Sequence, residues 1–190
     1  MHLHLPAEKV TSAEEALAFL KEGNERFVRG ELTPKDDYAE IRGVLCGGQV
    51  PYAVVLCCSD SRVAPEIFFD QKLGDLFVIR NAGNIVDEVV LGSIEYGAEH
   101  LGSPLCVVVG HTSCGAVTAA CQGGPVPGSI PSIIKRIRPS IREGLLVDEV
   151  ARNNARAMAK QIAEDEVIRH TGIQVLPALY NIRTGEVEWL

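Results

Sequence analysis

The sequence is short of cysteine, has no excess of basic charge and contains no long apolar run, and each shortage removes a class of protein. Six cysteines in 190 residues are about 3%, well under the roughly 8–10% of disulfide scaffolds. They need another explanation. Lys plus Arg number 18 against 25 Asp plus Glu, a formal net charge of −7, which opposes general binding to phosphate backbones and anionic lipid surfaces. No nucleic-acid partner is expected. The longest apolar stretches, residues 53–58 and 105–110 among them, fall far short of the ~20 residues that cross a bilayer, so no membrane partner is expected either. The opening MHLHLP has no basic segment leading into an apolar run of leader length. A cytoplasmic protein with reduced thiols is expected, and His2 and His4 read as an inert chain end.

What is present is enough apolar residue, 46% of the chain, for a core without covalent staples, since a chain of this length removes roughly 70% of its unfolded surface from water. One domain, residues 1–190, is expected, with an N-terminal helical arm at about residues 10–30. Ser12 can cap that helix with Glu15 three residues on; Ala16, Leu17, Leu20 and Phe27 give it an apolar face, and Gly23 reads as its weak point. Residues 30–38 read as irregular. Residues 52–58, 76–80 and 104–111 are continuous apolar runs of strand length without polar alternation, the pattern of strands covered on both faces. A helix is expected over 88–101 and another over 114–121. Pro131 starts a short helix that Pro139 ends or kinks. A long helix is expected over 148–170, and then two strands, 173–181 and 186–190, joined by a turn at Thr184 and Gly185. Alternating strand and helix implies an α/β fold, a central mostly parallel sheet flanked by helices.

The polar residues that end two of these strands carry the chemistry. The first run closes in CSDSR, Cys58 to Arg62, and the third in HTSC, His111 to Cys114. Both clusters fall at the carboxyl ends of parallel strands, where open α/β sheets bind ligands. Two thiolates and one imidazole, Cys58, Cys114 and His111, match zinc in softness and number and leave a fourth position open, as at a catalytic site. The bland alternative is a pair of small core thiols beside a satisfied core histidine. Cys114 also falls at a helix N-terminus, which favours thiolate. Asp60, two residues from Cys58, shares its side of an extended segment, and Arg62 can hold it with a bidentate fork. Asp60 then either accepts a proton-bearing bond from a metal-bound hydroxide and aims its lone pair, or binds the metal itself and closes the site.

These motifs resemble the β-class carbonic anhydrases. Besides CSDSR and HTSC, the segments LKEGNERFV (20–28), GQVP (48–51), GDLFVIRNAGNIV (74–86), SIEYG (93–97) and YNIRTGEV (180–187) are similar to that family, in one order and over nearly the whole chain. The resemblance implies a β-carbonic-anhydrase-like fold and a homodimer or homotetramer. It implies reversible hydration of carbon dioxide to bicarbonate and a proton by zinc-bound hydroxide. It assigns Zn2+ to Cys58, His111 and Cys114, with Asp60 joining only in a closed state, and the orienting pair to Asp60 and Arg62. A narrow apolar cleft at the dimer interface is implied, lined by Gln49, Phe77, Ala82 and Tyr96, with the Gly115 amide near the bound anion. Arg80 and Tyr180 fit two members of a bicarbonate-regulatory set, but Val55 stands where that set has Trp, so regulation of that kind is not expected. Two thiolates donate more charge than histidines, so full activity is expected at mildly alkaline pH. His100 and His170 are the candidates for carrying the proton out.

Three other readings compete. An enzyme of the same fold acting on carbonyl sulfide or carbon disulfide would keep the metal, nucleophile and pair unchanged. A structural-zinc or redox-sensing protein would have Asp60 close the site permanently, with Cys57, Cys106 or Cys121 reporting oxidation. Cys57, facing away from Cys58, reads as core. A nucleotide-binding protein is the weakest reading, since no Gly-rich phosphate loop follows the first strand.

Overall fold

The structure, a computed structural model, describes residues 10–190, so His2 and His4 lie outside the described residues. Helix α1 (Ala13–Arg29) starts as its sequence predicts: the Ser12 hydroxyl accepts from the Glu14 and Glu15 N–H groups, and Gly30 ends it in a left-handed conformation. Helix α2 (Tyr38–Leu45) follows. A five-stranded sheet then organises the chain in the order β2-β1-β3-β4-β5: β1 (Ala53–Cys58), β2 (Leu76–Asn81), β3 (Leu105–His111), β4 (Gln174–Tyr180) and β5 (Val187–Trp189). The first four in that order are parallel and β5 is antiparallel, its pairing with β4 beginning at Tyr180 opposite Val187.

Both faces of the sheet are covered, which is why the inner strands show no polar alternation. Val54, Leu56 and Cys58 enter one core, with Ile94, Val117, Ile137, Val150 and Ile162. Ala53, Val55 and Cys57 enter the other, with Ala16 and Leu20 of α1 and with Phe68 and Phe69. Cys57 therefore faces away from Cys58, as the strand period requires.

The connections hold most of the departures from expectation. Helix α3 (Pro65–Phe68) and a 3₁₀ turn, Ala82–Asn84, follow β1 and β2. Helix α4 (Glu88–Glu95), capped by Asp87, does not continue as α-helix to residue 101 but widens into a π turn at Tyr96–His100. Gly97 lies in that turn, where a Cβ would stand 2.6 Å from Val54 Cγ2. Helix α5 (Gly115–Gln122) follows β3, α6 (Ile130–Ile137) runs into a 3₁₀ turn at Arg138–Ser140, and the long helix expected over 148–170 is two helices, α7 (Val147–Ala163) and α8 (Glu166–Thr171). The break has a physical cause: Asp165 is extended and its carboxylate accepts the Ile168 N–H, capping α8 afresh.

Gly23 is not the weak point of α1 but the residue that lets it dock. A Cβ there would lie 1.7 Å from the Phe69 carbonyl oxygen. Next to it, buried Asn24 donates to the Phe68 and Gly185 carbonyls and accepts from the Val187 N–H. Gly→Ala inside a helix ordinarily helps by about 1 kcal/mol. Here Gly23→Ala is expected to cost about 3 kcal/mol through overpacking, read as a lowered urea midpoint; an unchanged or raised midpoint refutes the docking role.

A second lock holds the segment after α1. Asp70, its side chain fully buried and its φ positive at 50°, pairs with Arg26 at 2.7 Å and with Lys35, and it accepts from the Thr33 N–H and hydroxyl. Burial pushes the Asp70 carboxyl up, and the bonds from Lys35, Arg26 and Thr33 outweigh it and hold it below the usual carboxylate range. The folded pKa lies below the unfolded value of about 3.9, so the stabilisation is fully present above that value and is lost as pH falls through the folded one. Asp70→Asn keeps the shape and tolerates the left-handed backbone. It is expected to cost about 2–3 kcal/mol at neutral pH and to flatten the acid limb of the stability curve, measured by denaturant titration across pH.

Candidate metal centre and its surroundings

Parallel pairing of β1 with β3 sets Cys57 opposite Val109, which leaves Cys58 at the end of one strand one register step from His111 at the end of the next. Cys114 caps the N-terminus of α5. The Sγ atoms of Cys58 and Cys114 and a ring nitrogen of His111 all lie within 4.8 Å of one another, and the three residues are buried. The His111 Nδ1 lies 2.9 Å from the Thr112 carbonyl, which makes Nδ1 the protonated nitrogen and turns the Nε2 lone pair inward. That Nε2 is buried and has no hydrogen-bond partner. An orphaned buried imidazole nitrogen is costly, and a metal ion coordinated there removes the cost.

The thiols agree. The Cys58 thiol is pulled well below the usual thiol range, first by the bond Cys114 donates to it and also by the Gly83 and Asp60 N–H groups, against burial. The two amides lie 3.3 and 3.4 Å from its sulfur. The same bond and burial push the Cys114 thiol up, because two thiolates this close repel without a cation between them. A divalent ion lets both ionise. The donor set therefore fits a thiophilic, imidazole-binding metal such as zinc.

Asp60 lies beside this cluster and outside it. Arg62 donates to it from Nε at 2.9 Å and from its terminal nitrogen at 2.7 Å, and the Arg62 N–H donates at 3.0 Å. The Arg62 guanidinium holds the Asp60 carboxyl well below the usual carboxylate range. Arg62 also reaches the Ser113 carbonyl at 3.4 Å, tying CSDSR to HTSC. Ser113 has φ 55°, left-handed for a non-glycine residue, and its N–H is held by Asp148 at 2.7 Å. Arg80 donates to the carbonyls of Cys58 and Asp60 at 3.1 and 2.8 Å. Of the regulatory set, Arg80 thus braces the metal loop, Val55 is sealed in the core against α1, and Tyr180 is buried on Phe68. Sequence reasoning missed Asp148, which stands inside no recognisable motif, and this use of Arg80, whose motif (74–86) does not show that its guanidinium reaches the Cys58 and Asp60 carbonyls.

The other expected site residues are spread along the sheet. Gly115 is exposed at the start of α5, Ala82 is half-buried in the turn after β2, and Gln49 is exposed. Phe77 and Tyr96 meet with ring centroids 6.0 Å apart. Phe77 pairs with Val54, four residues before Cys58, or about 13 Å along the strand. His100 and His170 precede β3 and β4 and so sit at the amino edge of the sheet, with the length of β3, about 20 Å, between them and His111. Within one chain neither histidine reaches the metal cluster.

Fold and site together define an α/β protein with a Cys–His–Cys centre, able to hold a metal ion, at the carboxyl edge of its sheet. Comparison with known proteins then places it. A family profile described as carbonic anhydrase matches residues 53–187. Carbonic anhydrase 2 of Mycobacterium tuberculosis is 43% identical over 180 residues, covering 87% of each chain. A carbonic anhydrase of Mycolicibacterium smegmatis is 52% identical over 129 residues, 66% of this chain and 63% of that one. Among solved structures, a tetrameric β-carbonic anhydrase from Sordaria macrospora superposes with a TM-score of 0.76 at 24% identity, over 93% of this chain and 97% of that one, a likeness of fold. The chain belongs to the β-class carbonic anhydrase family and is an enzyme of that type.

Proposed function

We propose that Cys58, His111 and Cys114 hold a zinc ion and that the enzyme reversibly hydrates carbon dioxide to bicarbonate and a proton. The observation that carries this is the buried, unpartnered His111 Nε2 inside a 4.8 Å cluster with two thiols. Bound there, zinc would supply Lewis acidity, lowering the pKa of a water toward the ~7 established for the three-histidine zinc site of other carbonic anhydrases. Everything else falls to the chain. Cys58 and Cys114 neutralise the ion's charge, which makes that water less acidic than at a three-histidine site and moves full activity to mildly alkaline pH. The Asp60 carboxylate can only accept hydrogen bonds while ionised; it accepts one from the nucleophile and so orients it, and Arg62 keeps Asp60 ionised and in place. Gln49 donates to a substrate oxygen, Phe77, Ala82 and Tyr96 form the apolar wall, and the Gly115 N–H meets the product anion.

This division of labour calls for a second copy of the chain. Phe77 and Tyr96 sit too far down the sheet to face the metal of their own chain, so they line the cleft of a partner's site in a homodimer or homotetramer. The Sordaria structure is described as tetrameric, which supports assembly. All six cysteines are free, which supports a reducing cytoplasm, and no described helix is long and apolar enough to cross a membrane. A redox-sensing role has little support, because burial pushes Cys57 and Cys106 up to about 12 and raises Cys121 as well, which disfavours the reactive thiolate at all three.

The test is stopped-flow hydration of carbon dioxide together with zinc content, from mildly acidic to alkaline pH. Activity rising toward alkaline pH at one zinc per chain is expected. Full zinc occupancy without hydration, or sulfide release from carbonyl sulfide or carbon disulfide in its place, rejects the substrate.

A further inference from the structure

We propose that Asn154 is a positioning residue for the metal centre, acting through Gly83 on Cys58; the inference rests on the metal reading above. Asn154 lies on α7, is fully buried, and is flanked on that helix by Ala151, Ala155 and Ala159, all buried. Its Nδ2 donates to the Gly83 carbonyl at 2.9 Å. The N–H of the same glycine donates to Cys58 Sγ at 3.3 Å. Gly83 has φ 75°, and a Cβ on it would stand 2.8 Å from Ile137 Cδ1 and 3.1 Å from Ala116 Cβ. Only glycine fits, and glycine is the residue least able to hold its own conformation. The hold comes from α7. One turn beyond Asn154, Met158 Sδ accepts the Val86 N–H at 3.2 Å, and Arg136 of α6 donates to the Val86 carbonyl at 3.0 Å. The segment 83–86 is thereby gripped at both ends. Asn154 is a poor choice for packing alone, because its Oδ1 is buried without a partner, and an apolar side chain would avoid that desolvation cost. What the asparagine supplies is a donor that fixes Gly83, so that the Gly83 N–H aims at the thiolate, orients its lone pairs and tempers its charge.

The experiment uses the full chain and three variants. Asn154→Ala removes the donor, and Asn154→Asp keeps the shape but presents an ionised oxygen to a carbonyl. Asn24→Ala is the control: it deletes three hydrogen bonds, two of them buried, on the opposite face of the sheet. Zinc affinity is measured by chelator competition below each unfolding transition, and the sulfur-to-metal charge-transfer band is recorded on the cobalt-substituted proteins. Both Asn154 variants are expected to bind zinc about 10–100-fold more weakly with a displaced band, while Asn24→Ala loses stability and keeps wild-type affinity and spectrum. Wild-type affinity and band in the Asn154 variants that stay folded overturn the proposal. Equal losses in Asn24→Ala also overturn it, by showing general loosening. A wild-type protein that takes up no zinc overturns the metal reading itself and this proposal with it.

Discussion

Cys58→Ser is expected to yield a folded protein that carries no zinc and hydrates carbon dioxide at least about a thousandfold more slowly than wild type. The fold survives because the serine oxygen takes over what the sulfur does for the backbone. Cys58 Sγ accepts the Gly83 and Asp60 N–H groups, and a hydroxyl oxygen accepts both. The cores do not depend on the sulfur, since Val54 and Leu56 of the same strand face, with Ile94 and Ile137, carry that packing. What the hydroxyl cannot supply is a second negative ligand at neutral pH. The centre then has one thiolate and one imidazole, too few for a tight zinc site. Circular dichroism, the urea midpoint, zinc content and hydration rate separate the outcomes. A folded, zinc-free and inactive variant is the expected result; a folded variant of full activity places the chemistry elsewhere, and an unfolded one makes the metal structural. Removing zinc from the wild type with a chelator is expected to reproduce the variant's loss, and readdition is expected to restore the wild type alone.

How much of this was legible beforehand follows from what kind of interaction places each residue. The candidate metal site was legible because its parts are strand-terminal: unbroken apolar runs ending in CSDSR and HTSC predict where the chain emerges, and parallel pairing brings adjacent strand ends together. The Ser12 cap and the facing of Cys57 were legible because both are local and periodic. The second layer was not. Nothing near Asn154, Asp148 or Arg80 in sequence announces a bond to Gly83, Ser113 or the Cys58 carbonyl, because each partner is tens of residues away and the bond reaches a backbone group common to all residues. Gly23 was misread for a related reason: propensity assigns it a cost, and only the Phe69 carbonyl pressed against it reveals its use. The break at Asp165 was missed because an aspartate amid Glu and Arg reads as a helix surface until its carboxylate is seen capping α8. Helix α2 was missed because Gly43 weakens its pattern. His100 and His170 suit proton transfer by residue type, and strand order puts both at the far edge of the sheet from their own chain's Cys58, His111 and Cys114.

The Asp60–Arg62 pair is expected to show strong non-additivity. Asp60→Asn keeps the size of the side chain and one acceptor oxygen but turns an NH2 group toward the Arg62 donors, and the nucleophile loses its ionised acceptor. Hydration is expected to fall about a hundredfold, with zinc content unchanged. Because Arg62 holds the Asp60 carboxyl below the usual range, the carboxylate's contribution is present above the ordinary value of about 3.9 and is lost only as pH falls through the depressed one. Direct protonation of Asp60 therefore lies well below the working range and does not produce a loss of activity just under neutrality. Arg62→Ala acts differently. It removes the fork and the tie to the Ser113 carbonyl, and it frees a carboxylate that is two residues from Cys58 to compete for the open metal position. Arg62→Ala is expected to lose about a hundredfold to a thousandfold, with its acid limb moved to higher pH. Adding Asp60→Asn to that variant removes the competing ligand, so the double variant is expected to be no slower than Arg62→Ala alone, with the acid limb returned to its wild-type position. Losses that simply multiply, with limbs that do not move, would show that Asp60 never reaches the metal and acts only as the acceptor that aims the nucleophile.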